Sequence, residues 1–167
     1  LKTTLRGYKR VCTTRIPATY TVASIFLQAI FVLYLSASEQ MISDILGRGG
    51  QFPFIFGMVA ILFGITSLLN GHFVMIFGIQ KILFWASLFL VLTSAALLIV
   101  TVTAGGVPHF WAFIPILAIM LATFMFMMPN LNSAALFPLP DIAGTASALT
   151  SAIRMFFGAL IGGLITT

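Results

Sequence analysis

Charge is what this sequence lacks most. Only 7% of its 167 residues are Asp, Glu, Lys or Arg, where a soluble domain carries roughly a quarter. Three residues are acidic, two are histidine and one is cysteine. A single cysteine, Cys12, excludes an intrachain disulfide and reads as an ordinary reduced thiol. The two histidines, His72 and His109, stand apart near the ends of apolar runs. No Cys/His cluster suggests a metal site, and there is no glycine-rich phosphate loop or nucleophile elbow. No paired carboxylates or Ser/His arrangement falls inside an apolar run, so the expectation is that the chain is not an enzyme and uses no cofactor.

What the sequence does have is apolar residues, at 60% of the total. A water-soluble fold of this length leaves too much of its surface wet to hide them. They come in five blocks, each close to the 20 or so residues a membrane-crossing helix needs. The blocks run over residues 17–38, 52–71, 82–102, 110–128 and 143–165. They are too long for barrel strands and do not alternate. Pro17, Pro53 and Pro108 fall near the starts of helices, where a missing N–H does no harm. Gly47, Gly49 and Gly50 separate the first two blocks, Gly105 and Gly106 precede the fourth, and Pro138 and Pro140 precede the fifth. The expected fold is an all-α integral membrane bundle of five transmembrane helices.

Basic residues set the orientation. Lys2, Arg6, Lys9, Arg10 and Arg15 precede the first span, and Lys81 falls in a loop on the same side; only Arg48 lies in a loop on the other. Lys and Arg favour the cytoplasm, so residues 1–16 read as a cytoplasmic segment and residues 17–167 as the membrane part. The expected place is the plasma (inner) membrane, in which the chain is multi-pass. A juxtamembrane basic run also meets anionic lipid, which accounts for the net charge of +5 without nucleic acid. The chain begins at Leu1 rather than Met and ends in an apolar run, from which we expect a piece of a longer protein.

Arg154 is the sharpest chemical signal. It lies near the middle of the fifth block, at a depth where a charge costs about 2.5–3.5 kcal/mol on insertion scales and needs a cavity or a partner. At helical spacing Gly144, Ser147, Ser151, Arg154, Gly158 and Gly162 fall within roughly 80° of arc. This face is small and polar, and Gly158 and Gly162 form a small-xxx-small pair suited to close helix approach. On the first span Tyr20, Ser24, Gln28, Phe31, Leu35 and Ser38 recur at the same spacing. Gln28, Phe31 and Tyr34, with Ser147, Ser151 and Arg154, are candidates for a substrate path. Equally, Gln28 is a candidate for helix–helix contact, and Arg154 for a structural pair with a distant carboxylate. Glu39 is the candidate for proton coupling, although a carboxylate at this place is more often an exposed loop residue. Pro129, Asn130, Asn132, Pro138, Pro140 and Asp141 crowd the region between the fourth and fifth spans, which reads as a structural loop with gate candidates Asn130, Asn132 and Asp141. Asp141 is placed to cap the fifth helix. Gly57, Gly64, Gly71 and Gly78 recur every seven residues, as a packing seam would.

The stretch PNLNSAALFPLPDIAGTASALTSAIRMFFGALIGG, residues 129–163, resembles the tenth-to-eleventh helix region of major facilitator superfamily drug-resistance transporters of the Bcr/CflA type. FVLYLSASEQMISDILGRGGQFPFIFG, residues 31–57, resembles their seventh and eighth helices. AGTASAL, residues 143–149, is the most specific piece. The superfamily's pattern rich in Gly, Asp and Arg is reduced, in residues 70–81, to Gly71, Gly78 and Lys81. The resemblance implies that the spans are helices seven to eleven of a twelve-helix fold and that residues 1–16 close its central loop. It implies proton-coupled efflux of drugs or amphipathic small molecules by alternating access, with a missing N-terminal half, the lipid bilayer, the substrate and protons as partners. A non-transporting helical scaffold or assembly subunit is the alternative.

Overall fold

The computed structural model of the chain describes Val11 and residues 13–166. Lys2, Arg6, Lys9, Arg10 and Cys12, and with them most of the expected cytoplasmic segment, lie outside the described residues. Among those described, the regular structure is helical throughout. Helix α1 spans Arg15–Gln40, α2 Phe52–Phe77, α3 Ile79–Thr103, α4 Phe110–Leu136 and α5 Ala143–Thr166. A π-helical turn, Met41–Ile45, and a 3-10 turn, Gly49–Gln51, join α1 to α2, and a second 3-10 turn, Pro140–Ile142, leads into α5. All five long helices are long and apolar enough to cross a membrane.

The helices are longer than the apolar blocks suggested. At 1.5 Å per residue the 26 residues of α2 extend about 39 Å, beyond a hydrocarbon core of about 30 Å. A window of 20 apolar residues therefore marks the core of such a helix and misses its ends. Two corrections follow. Residues 72–77, beyond the second apolar block at 52–71, form the last turns of α2. The whole connection to α3 is Gly78, whose φ of 77° is open to glycine at little cost, and whose N–H donates to Val74 O at 2.9 Å. Likewise Pro129, Asn130 and Asn132 do not end the fourth helix, which runs through them to Leu136. Proline removes one backbone donor there, and the helix continues past it, as membrane helices do where neighbouring groups re-satisfy the freed backbone.

Hydroxyl side chains within the helices turn back onto their own backbone. Thr66 Oγ1 donates to Leu62 O at 2.7 Å, Ser87 Oγ to Leu83 O at 2.6 Å and Thr123 Oγ1 to Ile119 O at 2.9 Å. Such bonds let a polar residue sit in hydrocarbon without a partner on another helix. Large apolar side chains face outward instead, with Leu68 81% and Met75 80% exposed. In water, faces of this kind would aggregate; in lipid they are the solvated surface.

The chain divides into two compact units, the first comprising residues 1–36 and 128–167 and the second residues 37–127. In the first, Val11, Leu139 and Ala146 form a buried cluster that Leu136, Ile142 and Leu149 pack against. Val11, ahead of α1, and the link between α4 and α5 therefore meet at one end of this unit. In the second, the Arg48 guanidinium lies 4.5 Å from the centroid of the Phe110 ring and donates to Gln51 Oε1 at 3.2 Å. The α1–α2 turn and the start of α4 thus share an end, as an up-and-down order of helices requires. Ser94 Oγ reaches Met120 Sδ at 3.6 Å between α3 and α4.

With Cys12 replaced by Ser, His109→Cys and Gln80→Cys report the two ends of α3. A membrane-impermeant maleimide added to sealed right-side-out vesicles is expected to label His109→Cys at once, and Gln80→Cys only after permeabilisation. The reverse pattern would invert the orientation read from the basic residues.

Candidate functional site: a cation beside a glycine seam

The site begins with two glycines. A methyl group placed on Gly158 would fall 2.6 Å from Cβ and Cγ of Gln28, and one on Gly162 would fall 2.8 Å from Ala29 O and 2.9 Å from Val32 Cβ. Helix α5 therefore meets α1 backbone to backbone over one turn, with both chain directions advancing together. The small-xxx-small reading of Gly158 and Gly162 describes this contact. The heptad glycines behave differently. Nothing lies within 4 Å of a methyl placed on Gly57, Gly64 or Gly71, so the expected seam on the second span has no partner among the described residues.

Arg154 precedes Gly158 by one turn of α5. It is half-buried. Its Nη1 approaches Met128 Sδ at 3.9 Å, a weak acceptor. Its Nε is buried and has no hydrogen-bond partner among the described residues. Leaving a buried donor unmade costs about 1–3 kcal/mol, and more on a charged group. An arginine held this way demands an anion or water at the free edge of its guanidinium.

The other candidates divide between surroundings. Ser147 and Ser151 are half-buried on α5, on the Arg154 face. Gln28 is half-buried against Gly158, Phe31 is half-buried and Tyr34 is buried on α1. Ser24 Oγ is used locally, donating to Thr21 O at 2.7 Å. The stripe through Gln28 is thus not one continuous lining: Ser24 and Ser38 are buried while Leu35 is 44% exposed. Asn130 is buried inside α4, Asn132 is half-buried in the same helix, and Asp141 is exposed in the 3-10 turn ahead of α5. Asn130 and Asn132 are therefore helical residues, and of the three gate candidates Asp141 alone stays outside the long helices. Glu39 belongs to the second unit, exposed in the last turn of α1.

No protein-family model, curated protein or solved structure matches this chain. What the site does is therefore argued from its own chemistry. Met128 is a neighbour that the sequence did not single out, because it sits 26 residues from Arg154 on another helix and a methionine in an apolar run carries no signal. The seam itself was legible, since glycines four apart on a charged face are unusual in a span.

The two sets of glycines predict opposite effects of a methyl group. Gly158→Ala and Gly162→Ala must push α1 away, and each is expected to lose about 1–3 kcal/mol in reversible unfolding in mixed detergent. Gly57→Ala and Gly64→Ala meet open space and gain about 0.5–1 kcal/mol from lower backbone entropy. Equal effects at all four positions would deny the α1–α5 contact.

Proposed function

We propose that the chain is part of the membrane domain of a secondary active transporter, similar to the C-terminal half of major facilitator superfamily drug-efflux proteins of the Bcr/CflA type. The observation that carries this reading is Arg154: a cation near the middle of a membrane-crossing helix whose Nε is buried without a partner among the described residues. Such a group calls for a partner or a water-filled cavity, and a transport path uses one to hold or exclude charge. The sequence resemblance over residues 31–57 and 129–163 supports the same reading, and five successive apolar helices suit the seventh to eleventh of a twelve-helix fold.

In this reading the α1–α5 seam fixes the backbone beside the path. Arg154 projects from the turn before the seam, with Ser147 and Ser151 on its face as neutral hydrogen-bonding groups. The counter-charge comes from a titrating carboxylate of the opposite half or from the substrate, and its arrival and loss accompany alternating access. Proton coupling through Glu39 and efflux of drugs or similar amphipathic molecules come with the resemblance. One observation favours the alternative, a helical scaffold: Gln28 lies against Gly158, as a packing residue would.

Transport separates the two. Cells expressing the full-length parent are expected to accumulate less of a fluorescent cationic drug, and an uncoupler is expected to abolish the difference. Arg154→Gln, at equal expression, is expected to cut efflux by roughly tenfold or more, the loss typical of a hydrogen bond to a charged group, while Arg154→Lys retains part of it. Unchanged accumulation across a panel of charged and neutral solutes would favour the scaffold.

A further inference from the structure

The second unit holds a groove of its own. Lys81, Trp85 and Phe89 lie four residues apart on α3, so they share one face and descend about 12 Å from the start of the helix. Across from them Phe73 and Phe77 of α2 stack, with ring centroids 6.0 Å apart and planes at 19°, and Phe126 of α4 adds a ring 6.0 Å from Phe73. Between these walls is a cavity of about 530 Å³, within the range of small-molecule sites. Its rings remain open to the outside, with Trp85 57%, Phe89 53% and Phe77 51% exposed. Lys81 is the one ionisable residue among those lining the cavity, and it sits at the end where Gly78 joins α2 to α3.

We propose that this groove binds an anionic phospholipid, one acyl chain lying along the aromatic walls and the phosphate headgroup resting on the Lys81 ammonium. The chemistry of the walls fits a hydrocarbon chain, and the cation stands at the helix end, where headgroups lie. Trp85 is placed as interfacial tryptophans are, one turn deeper than the charge. The orientation read from the basic residues puts this end at the cytoplasmic leaflet, which is the leaflet rich in anionic lipid. A docked protein helix would fit worse, because it would cover Lys81 and strand its charge. A phosphate neutralises the lysine and stays wet.

Tryptophan itself reports the occupant. In nanodiscs, the full-length protein with Trp85 as its only tryptophan is titrated with brominated phosphatidylglycerol or brominated phosphatidylcholine at equal mole fraction. Trp85 is expected to be quenched with a preference for the anionic lipid of roughly fivefold, the contribution of one lysine near a charged surface. Lys81→Gln removes that preference and Lys81→Arg keeps it. A version with Trp111 alone, on α4 and outside this groove, shows none. Equal quenching of Trp85 by both lipids, or a preference that survives Lys81→Gln, would overturn the site. So would a Trp85 that neither lipid quenches while Trp111 is quenched normally, since protein would then cover the groove.

Discussion

A peptide group placed in hydrocarbon has no water to bond, and each one left unmade costs several kcal/mol. The shape of this chain follows from that constraint. Its helices run 24 to 27 residues, and the join between α2 and α3 is one glycine. Pro129 is carried inside α4 rather than ending it. The Thr66, Ser87 and Thr123 hydroxyls donate to carbonyls one turn back, so these three add no unmet polar group to the spans. With the backbone saturated inside each helix, only shape and a few side chains remain to hold one helix to the next.

Shape is where the glycines matter. Lipid tails are as apolar as leucine, so there is little hydrophobic gain from bringing two helices together, and close van der Waals contact takes its place. Gly158 and Gly162 let α5 approach the backbone of α1 at Ala29. Gly57, Gly64 and Gly71 offer the same absence of a side chain and meet nothing within reach. A glycine period states that a face is smooth; it does not state what lies opposite. For this reason the α5 seam and the α2 stripe looked alike in the sequence and differ in the structure.

The same distinction separates what was legible from what was not. The centres of the five helices were plain, because runs of about 20 predominantly apolar residues suit a membrane-crossing helix. Their ends were not. Pro129, Asn130 and Asn132 are turn signals in water, yet α4 carries all three inside it. Arg154 could be singled out at once, since a charge within an apolar run needs no coordinates to be conspicuous. Its contact with Met128 and the burial of its Nε depend on how α4 returns to α5, which no local pattern encodes. The aromatic walls around Lys81 are an intermediate case: the spacing of Lys81, Trp85 and Phe89 is visible in the chain, but the facing rings of Phe73 and Phe126 are not.

The position of Arg154 next to the seam has a mechanical consequence. A long side chain on a free helix would relieve an unpaired guanidinium by tilting or rotating the helix until its head met water. Here Gly158 and Gly162, one and two turns further along, bring α5 so close to α1 that even a methyl group on either glycine would meet Gln28, Ala29 O or Val32 Cβ. Met128 Sδ occupies one edge of the guanidinium without neutralising it. The charge is thus held in place by groups that do not compensate it, and its energy depends on whatever anion or water reaches the remaining edge. Such an arrangement is costly for a passive strut. For a carrier it is useful, because a group whose energy changes when a counter-charge arrives is what couples occupancy to the balance between two conformations.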